Sequence, residues 1–163
     1  MSQRLEHEWN GSGKSRKLRM SATLESRVQS VDIAESMILQ FCGRARAAYG
    51  ERILEEVSLA VRESVANAVM HGNRCDLSKK VILEAELTDD GLTICVKDEG
   101  AGFDPDSLPD PLLPDNLLHE SGRGLFLVKT CMDDVIMRRA ETCGMEVTLV
   151  KHVSIEHRRR MNK

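Results

Sequence analysis

The chain has 163 residues, 41% of them hydrophobic and 30% charged, with a net charge of −3. That length suits one domain with a usable core, and that balance excludes a disordered chain. The slight acidity argues against nucleic acid as the main ligand, and no apolar run approaches the roughly 20 residues of a membrane span.

Residues 1–15 read as a flexible N-terminal extension, residues 16–152 as one globular domain and residues 153–163 as a polar basic tail. The first ten residues lack the apolar core of a secretory signal. Gly11-Ser12-Gly13-Lys14-Ser15 ends like a P-loop. Position 8, where that pattern needs its first glycine, is Glu8, and no hydrophobic strand precedes it. Lys17 to Leu24 alternates loosely and predicts a first strand. Ile33, Met37, Ile38, Phe41 and Cys42 recur at helical spacing and predict a helix from Val31 to about Ala48, stopped at Tyr49-Gly50. A second helix is expected from about Glu51 to His71. Val81–Leu87 and Leu92–Lys97 read as strands joined through Asp89-Asp90-Gly91, an Asp-Gly turn suited to positive φ. Residues 103–121 hold all four prolines and read as a functional lid. Gly124 to Met132 predicts a third helix. Val135–Arg139 and Met145–Val150 predict a closing hairpin.

Strands that come in pairs predict a mostly antiparallel sheet with helices on one face, an α/β two-layer sandwich. The five cysteines, Cys42, Cys75, Cys95, Cys131 and Cys143, form no C-x-x-C pair. A disulfide framework or zinc site is not expected, and a reduced cytoplasmic setting is the simplest reading. Cys42, Cys95 and Cys131 sit among apolar neighbours and read as small core residues.

Three segments carry chemistry. On the second helix, Val57, Val61, Val65 and Ala68 make a buried stripe, and Glu63, Asn67 and His71 follow one another at i, i+4 and i+8 along its flank. Such a strip is also the ordinary solvated edge of an amphipathic helix. An acid and an amide one turn apart can instead share a bound group: Glu63 orients or deprotonates a hydroxyl, and Asn67 offers its carbonyl oxygen to Mg²⁺. His71 fits a helix C-terminus on dipole grounds alone. Asp98 ends a strand ahead of Gly100-Ala101-Gly102, where a carboxylate can accept a hydrogen bond from an amine such as adenine's, or simply sit solvated in a glycine-rich turn. Gly122-Arg123-Gly124-Leu125 opens a helix, where free N–H groups and a guanidinium suit phosphate; a hinge with a surface arginine is the alternative.

Glu63 to Asn67, Asp98-x-Gly100-x-Gly102 and Gly122-x-Gly124 resemble, in this order, the N, G1 and G2 boxes of the GHKL ATPase superfamily (the Bergerat fold). The likeness spans about residues 17–151. Leu59 to Gly72 and Gly122 to Lys129 are most similar to the bacterial anti-sigma factor serine/threonine kinases. The resemblance implies ATP and Mg²⁺ as cofactors, Glu63 as general base and Asn67 as Mg²⁺ ligand. It makes Asp98 the adenine-reading carboxylate, has Gly100 and Gly102 shape the pocket, and has Gly122, Arg123 and Gly124 close on the phosphates. It implies a homodimer that binds a sigma factor and phosphorylates a Ser or Thr of an anti-anti-sigma antagonist. A histidine kinase core or a gyrase-type ATPase would need further segments, an upstream helical pair or a following transducer domain. A non-catalytic ATP-binding module that only sequesters a regulator is the alternative from another class, and the pairing of Glu63 with Asn67 argues against it.

Overall fold

The computed structural model describes residues 2–8, 17–43, 46–102 and 120–152; within these, the side chains of 2–8, 46–50 and 120–123 are not described. The P-loop-like segment, residues 103–119 of the expected lid and the basic tail lie outside the described residues.

The elements run β1 (Ser2–Glu8), β2 (Lys17–Glu25), α1 (Gln29–Gly43), α2 (Arg46–Asn67), β3 (Lys80–Leu87), β4 (Gly91–Asp98), α3 (Glu120–Cys131), β5 (Asp134–Arg139) and β6 (Met145–His152). The six strands form one sheet in the order β1-β2-β3-β4-β6-β5, with every neighbouring pair antiparallel. This is the expected two-layer α/β sandwich. The lead-in read as flexible contains β1, which pairs with β2 from Ser2↔Thr23 to Glu8↔Lys17. Its backbone donors find partners along the edge of β2, a gain that hydrophobic patterning does not signal.

Alternation sets which sheet face meets the helices. Met20, Ala22 and Leu24 of β2, Val81, Leu83, Ala85 and Leu87 of β3, and Leu92, Ile94 and Val96 of β4 are all buried. The opposite face carries an ion-pair ladder, in which Lys17 and Arg19 hold Glu86, and Lys97 holds Glu84. Cys95 points to that face and is only partly buried, so it is not the core residue expected. Cys42 is fully buried on α1, where desolvation pushes its thiol up to about 12.

Helix α1 buries Val31, Ala34, Met37, Ile38, Phe41 and Cys42 at three- and four-residue spacing. It ends at Gly43, short of the expected Ala48. Tyr49-Gly50 does not stop it: both lie inside α2, which starts at Arg46. One glycine costs a helix interior about 1 kcal/mol. The buried Val57, Val61 and Val65 of α2 each return about 1.5–3 kcal/mol. Arg62 of α2 pairs with Asp32 at 2.8 Å and with Glu35, locking α2 to α1.

The turn between β3 and β4 closes through Thr88 N donating to Gly91 O at 2.9 Å. Positive φ is not used there: Gly91 already belongs to β4. Its missing side chain matters for another reason, since a Cβ would stand 2.6 Å from Lys151 O on β6.

Candidate active site

Asp98 occupies a core-facing position at the end of β4. In register it continues the row Leu24–Val81–Asp98, so it points to the helix side of the sheet rather than to solvent. It is 7% exposed. Three glycines make room for it. A Cβ on Gly72 would stand 2.6 Å from its Cγ, and one on Gly100 or Gly144 would stand 2.8 Å from its Oδ1. Gly144 also holds φ at +82, a conformation that side chains resist. Burial raises the Asp98 carboxyl above its ordinary value. Hydrogen bonds from Gly100 N (2.8 Å to Oδ1) and Met145 N, with the charge of Lys79, offset this only in part. A buried carboxylate this confined is built to receive a donor.

A cavity of about 400 Å³ opens above Asp98. Its sheet wall is the register row Val96–Val147–Met137 across β4, β6 and β5. Ala68 and Val128 face it from the helices. An apolar slot of this size with one anchoring carboxylate suits a flat heteroaromatic base. Gly100 packs directly on Gly72, and Gly102, at φ +69, lines the cavity.

The second cluster lies where α2 meets α3. A Cβ on Gly124 would stand 2.8 Å from Glu63 Oε2 and 3.7 Å from Asn67 Nδ2. Glu63 and Asn67 are half-buried, and Asn67 also lines the cavity. The strip on α2 is therefore not a solvated edge at these two positions. His71 lines the cavity but is exposed. Gly122, Arg123 and Gly124 were expected as a turn before a helix. They lie inside α3, which begins at Glu120. Gly122 lies in the first turn of α3, whereas Gly124 serves by letting α3 close on Glu63. The Arg123 side chain lies outside the described residues.

Lysine 151 fixes the far end of α3. Its Nζ donates to Cys131 O at 2.6 Å and pairs with Glu56 at 2.8 Å. That hydrogen bond holds the Glu56 carboxyl below the usual carboxylate range.

Sequence reasoning passed over several residues. Helix α2 ends in a π turn, Ala68–Gly72, a form concentrated at functional sites. Asn73 follows, 1% exposed, donating to Lys80 O at 2.9 Å and accepting from Glu99 N at 2.8 Å. It pins the Asp98–Gly102 turn to the end of α2. Arg74 and Cys75 both hold φ at +56, which costs about 1–2 kcal/mol each, and Arg74 lines the cavity mouth. Gly72 and Gly144 were legible as glycines but not as neighbours of Asp98. Among the described residues no three His, Cys, Asp or Glu side chains cluster to cage a metal. No described helix is long and apolar enough to cross a membrane.

A larger cavity, about 540 Å³, lies on the other sheet face among Arg19, Glu84 and Glu86. Its charges are already paired, and it gathers no set of groups suited to catalysis.

Residues 21–151 match the family model of the histidine kinase-like ATPase domain. The chain is similar to the anti-sigma F factor of Clostridium perfringens strain SM101, 33% identical over 103 residues, covering 62% of this chain and 74% of that protein. It is also similar to the serine-protein kinase RsbW of Staphylococcus epidermidis, 32% identical over 120 residues, covering 69% and 73%. The fold matches a solved structure of the RsbU and RsbW domains of Rv1364c from Mycobacterium tuberculosis. There the TM-score is 0.60 at 16% identity, over 83% of this chain and 32% of that one.

Proposed function

The chain belongs to the histidine kinase-like ATPase domain family, and from that premise we propose that it is an ATP-dependent serine/threonine kinase and anti-sigma factor. Its substrate is a Ser or Thr of an antagonist protein in a partner-switching pathway, and its second partner is a sigma factor. The similarity to proteins named anti-sigma F factor and serine-protein kinase supports both halves. The observation that carries the catalytic half is that Glu63 and Asn67 both lie against Gly124, with Asn67 also lining the cavity that Asp98 floors. A module that only sequesters a regulator has no use for an acid at that position.

The residues divide the work. Asp98 accepts the base amine, while Gly72, Gly100 and Gly144 leave the room it needs. Gly122 and Arg123, in the first turn of α3, are assigned to the phosphates on the resemblance of Gly122-x-Gly124 to the G2 box. Phosphoryl transfer needs positioning and charge neutralisation more than covalent chemistry. Mg²⁺ would fit here as an ion that keeps several waters and is held largely by the phosphates of its substrate rather than by a protein cage. Asn67 would offer its side-chain oxygen to the ion, which would supply neutralisation of phosphate charge. Glu63 holds the acceptor hydroxyl and takes its proton as the oxygen bonds to the γ-phosphorus. The bond to the bridging oxygen breaks and ADP leaves.

The test is incubation of the full chain with labelled ATP and candidate antagonist proteins encoded nearby. Label should pass to a Ser or Thr. Glu63→Gln should bind ATP and slow single-turnover transfer at least about a hundredfold, within the range general-base help supplies. Transfer by neither protein would favour a non-catalytic binder, and equal transfer by both would remove Glu63 from the base role.

A further inference from the structure

One lysine stands where the sheet is otherwise apolar. In register, Lys151 of β6 ends the row Leu18–Leu87–Leu92–Lys151, whose leucines pack into the core under the helix layer. Its side chain is 11% exposed. An ammonium in such a place is costly unless it is paired. Three groups pair it, from two other parts of the fold. Its Nζ donates to Cys131 O, the last carbonyl of α3, at 2.6 Å. It also pairs with Glu56 Oε2 of α2 at 2.8 Å and with Asp133 Oδ1, just past α3, at 3.6 Å. None of these groups enters the chemistry proposed above.

Seven residues separate Glu56 from Glu63 on α2, and seven separate Gly124 from Cys131 on α3. Seven residues make two turns, about 10 Å, so each pair shares one helix face. Gly124 lies against Glu63, and Cys131 is joined to Glu56 through Lys151. The two helices therefore run antiparallel and are matched at two points, two turns apart. At the first point a glycine offers no side chain to hold its partner. The second point is ionic and directional. A slip of α3 along α2 by one residue is about 1.5 Å, more than the roughly 1 Å misplacement that costs about a hundredfold in rate. Fixing the register of packed helices is the best-attested use of a buried charged or polar group.

We infer that Lys151 is a positioning residue for phosphoryl transfer, holding α3 in axial register with α2 so that Gly124 stays seated on Glu63. This role rests on the assignment of Glu63 as the base of a kinase. The end of α3 is tied to β6 by other bonds as well: Asp133 N donates to Val150 O at 3.0 Å, and the Asp133 carboxylate accepts from His152 N at 2.7 Å. What the lysine adds is the tie from that end to α2. Glu56 has a second cation, Arg52 Nε at 3.0 Å, so loss of the lysine does not leave its carboxylate unpaired.

Single-turnover transfer at saturating ATP tests this, on the full chain with the antagonist protein that accepts label from wild type. Lys151→Met should slow transfer about tenfold, a part of what a 1 Å error costs. Glu56→Gln, which leaves the lysine on Cys131 O, should also slow it, and it decides the matter if Lys151→Met does not fold. The Glu63→Gln background supplies a readout that a merely structural role would not move. With the base gone, Lys151→Met should slow the residual transfer by less than about twofold. A wild-type rate in either folded variant overturns the role. So does an equal slowing in both backgrounds, the mark of a general loosening of the fold. Wild type that passes no label to any antagonist overturns the kinase reading instead, a result distinct from the other two.

Discussion

Gly124→Ala separates folding from chemistry at the α2–α3 contact. The added Cβ would lie 2.8 Å from Glu63 Oε2, where about 3.4 Å is an ordinary contact, so the carboxylate must move by roughly 0.6 Å or swing away. Asn67 Nδ2, at 3.7 Å, is already at a normal distance and need not move. The atom in the way is the end of a flexible side chain, so the fold gives easily. Alanine also gains about 1 kcal/mol over glycine inside a helix, worth about 2–4 °C in a domain of this size. The variant should therefore be as stable as wild type or slightly more so. A misplacement approaching 1 Å at the reacting centre costs about a hundredfold in rate. Expected, then, is single-turnover phosphoryl transfer at saturating ATP slowed by roughly 10- to 100-fold with an undiminished melting temperature. Combining Gly124→Ala with Glu63→Gln should add little to the slower single change, because both act on one carboxylate. Wild-type transfer by Gly124→Ala would refute the view that Glu63 is held in a working position by α3.

Asp98→Asn should weaken ATP binding tenfold or more, since a charge-assisted hydrogen bond contributes about 1.5–3 kcal/mol; calorimetry reads it directly. The raised Asp98 pKa fixes a sign for pH. Between the ordinary carboxylate value and the elevated one, the folded chain binds more protons than the unfolded chain. The Asp98 contribution to stability therefore falls as pH rises through that interval, and ATP affinity rises through it as the acceptor ionises. Asp98→Asn should abolish both trends in melting curves and titrations. Asn67→Ala should fold normally and bind ATP equally with Mg²⁺ or a chelator present, whereas wild type should bind more tightly with the metal. Asn73→Ala removes a donor and an acceptor from a buried site and leaves Lys80 O and Glu99 N unpaired, at a cost of about 2–4 kcal/mol by urea denaturation.

Periodicity was enough to read β2, β3, β4, β5 and β6 and the buried stripes of α1 and α2 from the residues alone. In a small antiparallel sandwich each element must show one apolar face, and that face repeats every two residues or about every 3.6. Glu63, Asn67 and Asp98 were likewise legible, because a carboxylate at a strand end before glycines, or an acid and an amide one turn apart, conveys its geometry locally. Local signals failed where the partner was distant in sequence. Strand β1 exists through pairing with β2, and Gly50 sits inside a helix whose buried stripe, Val57, Val61 and Val65, lies further along it. Only the tertiary structure decided that Gly72 and Gly144 face Asp98, that Asn73 ties α2 to the Asp98–Gly102 turn, and that Gly124 closes on Glu63 rather than opening a loop. Each of these is a contact between elements dozens of residues apart, and none is encoded in the local pattern of a single segment.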